Sequence, residues 1–305
     1  MKFISLITCT KDRPEELNDL LTSIRAQVGA TPDLHIIIDG SDNPEPVKKT
    51  VDQFRDLPIE YHHLRPPGLT RQKNFGISCL PEQTDWVGVL DDDVVLDKNC
   101  LKNIKYHIES DNEVRGIGLV FSNVKRRKYN ILRNILLIDG RHDGGFSLSG
   151  LPISNRTYDK NTSVKWLHGG ATFWHKQILD EFDFDEWFSG IGYFEDIDFS
   201  YRVSRKNKLI FLPDAQSTVY DNYIPTAKLT KVGTWQVVAW WYFATRKGDF
   251  NKFLICYSIL GVIAVNLFMG IVRPSSRRIL NTWGNLRGLA IIISGKTLGH
   301  QGFQK

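Results

Sequence analysis

Along its first hundred residues the chain switches repeatedly between two hydrophobic periods. "KFISLIT" (2–8), "LHIII" (34–38), "IEYHHL" (59–64) and "DWVGVL" (85–90) are apolar runs of strand length. Between them the spacing turns helical. Asp12, Pro14 and Glu15–Glu16 form a helix-start signature, and Leu17, Leu20, Leu21, Ile24 and Val28 follow on one face. Residues 44–54 and 68–80 read as two more helices. Strands alternating with helices predict an α/β fold, a sheet covered by helices, with ligands beyond the carboxyl ends of the strands. Thr8–Lys11, Asp39–Asp42 and Asp91–Asp93 all fall at those ends. Lys11, Asp12 and Arg13 interrupt the first apolar run too early for a signal peptide, so a strand is expected there.

The pattern weakens at residues 122–165, which are basic ("KRRK", 125–128), rich in Gly, Asn and Ser, and periodic only in "ILRNILLI". A long excursion near the site, a mobile acceptor loop, is expected there. Order resumes at "WLHGGATFW" (166–174), then a helix, then "FEDIDFSYRV". Near the C-terminus "FLICYSILGVIAVNLFMGIV" (253–272) runs twenty residues without a charge, long enough to span a bilayer.

Charge sharpens the reading of that tail. From Tyr223 to Lys305 there are eleven Lys or Arg against one acid, Asp249, a net of +10 that leaves −5 on the first 222 residues. A basic tail carrying an apolar segment points to a membrane surface rather than to nucleic acid. A simple span would carry six basic residues and no acid to the far side, against the positive-inside tendency. A re-entrant or interfacial helix, or a second weak pass through "LRGLAIII", is therefore expected, with Trp235, Trp240, Trp241 and Tyr242 as an interfacial belt. Four scattered cysteines without C-x-x-C argue for a reducing compartment, with neither a disulfide framework nor a structural zinc site.

Four constellations could carry chemistry. Asp91, Asp92 and Asp93 end an apolar run, and a hard cation, Mg²⁺ or Mn²⁺, needs few carboxylates when phosphate completes its shell. Strand alternation would turn Asp91 and Asp93 one way and Asp92 the other; the plain alternative is a solvated acidic loop. Asp39, in "IIIDGSDN", could receive the ring N–H of a base, or form an Asx-turn with Gly40. "GLTRQKNFG" brings Arg71 and Lys73 near the same edge as phosphate ligands, unless they are merely a solvated face. In "GYFEDIDFSYR", Glu195, Asp196 and Asp198 lie beside Trp187, Phe188, Tyr193 and Phe194. A shielded carboxylate has a raised pKa and can act as a general base, and aromatic faces suit sugars. Salt bridges to Arg202 and Arg205 are the structural alternative.

Taken in order, "TCTKDRP", "IDGSDN", "GLTRQKNFGI", "WVGVLDDDVVL", "HGGATFW" and "FDEWFSGIGYFEDIDFSYR" resemble the family 2 glycosyltransferases of the GT-A fold over residues 1–222. "WWYFATRKG" resembles the segment that follows in bacterial, membrane-associated members. The resemblance implies a Rossmann-like mixed sheet flanked by helices, with a nucleotide-sugar-binding half (1–97), an acceptor half (98–222) and a membrane-associating helical tail (223–305). It implies inverting transfer from a nucleotide-sugar donor, aided by Mn²⁺ or Mg²⁺, to a glycan or lipid-linked envelope precursor at the cytosolic membrane face. Donor contacts would fall on Thr8, Thr10, Arg13, Asp39, Arg71, Lys73, Asn74, Asp91 and Asp92. Asp93, Asp91 and Asp221 would hold the metal, and Asp196, with Glu195 beside it, would be the base. Trp166, His168, Gly169, Trp187 and Tyr193 would meet the acceptor.

Two departures stand out. "TVYDNY" puts Asp221 where many relatives carry a histidine metal ligand. Gln236, Ala239 and Trp240 keep the Q-x-x-R-W spacing without its arginine, so one or few additions are expected rather than a polymer. Three other readings stay open at this point. They are a non-catalytic sugar-nucleotide binder at the membrane, a haloacid-dehalogenase-like phosphatase suggested by "VLDDDVV", and a nucleotidyltransferase lacking its G-x-G-x-R loop.

Overall fold

Period-2 alternation along the central strands feeds two buried faces of one sheet. In the computed structural model, which describes residues 2–124, 128–154, 161–190, 192–220, 224–246, 249–273 and 275–295, Leu6 joins one apolar cluster and its neighbour Ile7 the other. Ile37 divides from Ile36 and Ile38 in the same way, as does Leu90 from Val89. Each fully buried aliphatic side chain contributes about 1.5–3 kcal/mol.

The first part of the chain runs β1 (Ile4–Thr10), α1 (Pro14–Arg25), β2 (Leu34–Asp39), α2 (Glu45–Val51), β3 (Ile59–His63), α3 (Leu69–Ser78), β4 (Trp86–Asp91), β5 (Val94–Leu96) and α4 (Cys100–Ser110). It continues through β6 (Val114–Phe121), α5 (Ile131–Ile135), β7 (Thr162–Val164), β8 (Ala171–His175), α6 (Lys176–Glu181), α7 (Glu195–Ser204) and β9 (Lys208–Val219). Three long helices follow: α8 (Leu229–Arg246), α9 (Lys252–Val272) and α10 (Ser276–Ile293). The sheet order is β3-β2-β1-β4-β8-β6-β9-β5, with β7 also on β9. β1 to β4 are parallel, while β8 runs antiparallel between β4 and β6, which makes the sheet mixed.

This register builds the functional edge. Thr10 pairs with Asp39, Cys9 with Asp91, and Leu90 with Ala171, so the ends of β1, β2 and β4 and the start of β8 share one edge. Leu17, Leu20, Leu21 and Ile24 seal one face, whereas Ile178, Phe199 and Val203 seal the other. Val28 does not extend the α1 face as the spacing suggested. The helix ends at Arg25, and the Val28 amide turns away to donate to the Lys98 carbonyl at 2.9 Å.

Two compact units emerge. The first comprises Met1–Arg126, Thr157–Ser189 and Glu195–Tyr220; the second comprises Arg127–Arg156, Gly190–Phe194 and Asp221–Lys305. Part of "KRRK" (125–127) lies outside the described residues, and the weakly periodic stretch around it contains α5, N-capped by the Asn130 side chain. All four cysteines are free.

In the second unit, α8 and α10 approach closely through glycine. A Cβ at Gly284 would stand 2.2 Å from the Thr230 carbonyl oxygen, and one at Gly233 would stand 2.3 Å from that of Asn281. Of the aromatic belt expected before the hydrophobic segment, Trp235 and Trp240 turn inward, only 1% and 9% exposed, while Trp241 and Tyr242 are half-buried. Trp235 and Trp240 lie on the buried face of α8, where aromatic side chains fill a protein interior.

Candidate active site

The carboxylates at the sheet edge are held in different ways. β4 ends at Asp91, and Asp92–Asp93 form the turn into β5, so the expected strand alternation stops before it can separate them. Asp92 and Asp93 share one partner instead. Arg13 donates from Nη1 to Asp92 Oδ1 at 3.0 Å and to Asp93 Oδ2 at 3.2 Å. Thr10 donates to Asp92 Oδ2 at 2.8 Å. Asp91, at the end of β4, is half-buried, and its amide donates to the Gly170 carbonyl at 2.9 Å.

Burial raises the pKa of Asp91 to about 7, with Lys73 opposing and Asp93 adding to the shift. Asp92 is pushed up to about 6 by burial against the pull of Arg13. The Arg13 guanidinium bridges Asp92 and Asp93, and the nearby Lys73 ammonium acts on Asp91. Hard carboxylate oxygens suit Mg²⁺ or Mn²⁺, so the residues fit a cation whose shell a diphosphate would complete. Among the described residues no three His, Cys, Asp or Glu side chains form a metal-holding cluster, and Asp221 lies outside the described residues.

Three acids at the start of α7 have three different fates. Asp198 is buried and accepts from Arg202 Nε at 2.8 Å, the structural salt bridge. Glu195 is buried and pairs with Lys73 Nζ at 3.2 Å. Among the described residues Asp196 has no such pairing: its Oδ2 accepts the Gly169 N–H at 2.7 Å and its Oδ1 accepts the Ile197 N–H at 2.8 Å. Burial and the adjacent Glu195 raise Asp196 to about 7, while Lys73 and the two amides hold it from going higher. Gly169 has no room for a side chain, since a Cβ would stand 2.9 Å from Asp196 Cβ. The consecutive residues Gly169 and Gly170 therefore tie Asp196 to Asp91.

Several of the remaining candidates are engaged within the protein. Thr8 is buried against His35 Nε2 at 2.9 Å, and burial lowers His35 to about 3. Asp39 is fully buried and accepts from the Ser41 amide at 2.8 Å, from the Ser41 hydroxyl and from Tyr61 at 2.7 Å. Lys73, 1% exposed, sits 5.1 Å from the Phe184 ring centroid as well as on Glu195. Asn74 exchanges two 2.9 Å hydrogen bonds with the Phe184 backbone, fastening α3 to the segment before α7. Arg71 reaches Glu186 at 3.6 Å.

Toward the acceptor side, His168 stacks on Phe121 at 4.4 Å, and burial lowers it to about 4, so it is neutral at pH 7. Trp166 meets Phe211 edge-on at 6.4 Å, and Trp187 meets Phe188 at 5.0 Å. Tyr193 belongs to the second unit. The Ser41 amide on Asp39 is the local turn that the sequence offered, whereas the Tyr61 lock and the Lys73–Glu195 pair had no sequence signal, because those partners stand 22 and 122 residues away.

Residues 5–182 match the model of the glycosyl transferase family 2, and the chain belongs to that family. The phosphatase and nucleotidyltransferase readings fall with this match. Solved structures with the same fold include the mannosyltransferase PcManGT from Pyrobaculum calidifontis in complex with GDP-Man and Mn²⁺. It is 14% identical at a TM-score of 0.58, over 96% of this chain and 87% of that one. S. aureus TarS residues 1–349 with UDP is 15% identical at a TM-score of 0.52, over 98% and 93%. Longer S. aureus TarS matches at 14% identity and a TM-score of 0.53; there the similarity takes in 90% of this chain but only 44% of TarS. No curated protein matches the chain in sequence.

Proposed function

We propose that the chain transfers one sugar, or few, from a nucleoside-diphosphate donor to an acceptor hydroxyl with inversion, at the cytosolic face of a membrane. The observation that carries this reading is the Gly169–Gly170 tie, which sets Asp196 beside the acidic strand edge that would face the donor. Asp196 takes the proton of the acceptor hydroxyl as its oxygen bonds to the anomeric carbon, and the bond to the diphosphate breaks on the opposite side. The leaving electron pair ends on the diphosphate, and no covalent nucleophile is needed.

Asp93 and Asp91, with Asp221, would hold Mg²⁺ or Mn²⁺, which when bound supplies positive charge to the departing diphosphate. Arg13 and Arg71 add cationic groups near that edge. Asp39 serves the base and Asp92 the ribose, while Thr8, Thr10, Lys73 and Asn74 shape the donor pocket. Trp166, His168, Gly169, Trp187 and Tyr193 serve a saccharide acceptor, lipid-linked or otherwise destined for the cell envelope. GDP-Man bound to PcManGT and UDP bound to TarS support a nucleotide-linked donor for this chain.

A thermal-shift panel of UDP-, GDP- and dTDP-sugars, each with Mn²⁺ and with EDTA, tests the donor site. Ligand at a hundredfold excess over Kd stabilises by about 2.7 kcal/mol, a readable shift in Tm. One nucleotide giving a metal-dependent shift is the expected outcome. No shift with any of them contradicts the reading and leaves a protein without donor binding.

A further inference from the structure

We infer that α9 and α10 form a lipid-docking surface that seats the chain on an anionic bilayer, both helices lying along the membrane plane rather than crossing it. This deepens the membrane-side reading above and rests on it. Helix α10 packs in an unusual way: the residues it buries, Thr282, Gly284, Asn285 and Gly288, are all small or amide-bearing. Asn285, fully buried, donates to the Gly233 carbonyl at 2.9 Å and to Gln236 Oε1 at 3.3 Å, and accepts from Asn266 at 3.4 Å. Outward, α9 presents Leu267, Phe268 and Ile271, the last two 63% and 79% exposed, and α10 presents Ile279, Trp283 and Leu286. A helix that buries only small and amide groups and turns its apolar residues outward, beside an exposed apolar side of α9, suits lipid, not water. Only 28% of the apolar stretch of α9 is buried, which separates it from the core helix of a soluble domain.

Charge selects the occupant. From Phe250 to Lys305 the chain has seven Lys or Arg and no acid. A second copy would bring the same sign of charge to the contact, whereas an anionic bilayer brings the opposite one.

The places of those charges set the orientation. Arg287 is exposed midway along α10, one turn after Trp283 on the same face. A crossing helix would hold it near the bilayer centre, where a charge is heavily disfavoured. Crossing would also send Arg273, Arg277 and Arg278, at the α9–α10 turn, to the far side. Lying flat, the helices bury their apolar faces while the exposed Arg273 and Arg287 reach the headgroups.

The full-length chain is added to preformed vesicles of phosphatidylcholine, with and without phosphatidylglycerol, and floated on a density gradient. A Ser275→Cys variant is treated with a membrane-impermeant maleimide and read by mass on the peptide carrying residue 275. The expected result is flotation with anionic vesicles, weakened by salt, and labelling from outside without detergent. Phe268→Asp should abolish flotation. Arg287→Glu, which leaves the apolar faces intact, should weaken it by roughly fivefold for each unit of charge lost. Both variants should retain the donor-dependent melting shift, so a lost shift marks failure of the transferase reading and not of this one. Labelling only after detergent shows a crossing hairpin and overturns the flat orientation while membrane binding survives. Absence of flotation with either vesicle, or a solution dimer that Phe268→Asp dissolves, overturns the lipid surface itself.

Discussion

Trp174 and Phe268 are both large aromatic residues, yet they face opposite surroundings. Trp174, on β8, is buried with its edge against Phe199, ring centroids 4.9 Å apart, and its indole donates to Thr172 at 2.9 Å. Phe268 stands outward on α9. The contrast extends to the units that carry them. The sheet-bearing unit keeps apolar atoms inside and gathers acids at one strand edge, while the α8–α10 contact is made of glycine and amide and α9 and α10 expose aliphatic and aromatic groups. An apolar helix thus declares its medium only through its packing, because period and composition are the same for core and lipid.

The contrast can be broken or sharpened by variants and conditions. Trp174→Ala should lower stability by about 3–5 kcal/mol, read as a fall in the denaturant midpoint. A loss under about 1 kcal/mol would mean that the core closes over the gap. Gly284→Leu drives a side chain into the Thr230 carbonyl and should cost about 1–3 kcal/mol. By comparison Gly270→Ala, which meets nothing within 4 Å, should gain about 0.5–1 kcal/mol from helix propensity. Equal melting temperatures for these two variants would remove close helix contact as the feature that organises the second unit.

A pH series probes the acidic edge. Asp91, Asp92 and Asp196 have folded-state pKa values raised above the usual carboxylate range, so folding favours their protonated forms. Their contribution is fully present below about pH 4 and is lost as pH rises toward 7. In EDTA, Asp91→Asn should match the wild type near pH 4 and melt higher than it at pH 8. A lower Tm for the variant at pH 8 would show that the ionised carboxylate is itself stabilised. The smallest effect belongs to Phe268→Ser, which should change stability in solution by less than about 0.5 kcal/mol while weakening flotation with anionic vesicles.

Much of the sheet-bearing unit was legible in the sequence, because apolar alternation and helix-start residues act locally. β2, β3 and β4 begin and end within a residue of the apolar runs that predict them, and β1 is displaced by two. The acids of the candidate site were legible as residues but not as geometry. Whether Asp196 or Asp198 takes the arginine depends on which of them meets Arg202 one turn later, and the Gly169 amide that clamps Asp196 lies 27 residues earlier. Lys73 read as a phosphate ligand because a helix-start cation near a strand edge commonly is one; its pairing with Glu195 is created only by the fold. Trp235 and Trp240 misled for a similar reason, since an aromatic belt and an aromatic core share one composition.

The central claim is that Asp196 removes the acceptor proton, and it is tested most directly by Asp196→Asn. Nucleoside diphosphate release and the donor-induced melting shift are measured on the same preparation. The account predicts turnover lower by roughly 10²–10⁴-fold with the melting shift unchanged, because the amide keeps the shape but cannot accept the proton. Near-normal turnover would contradict the account and remove Asp196 from the base role.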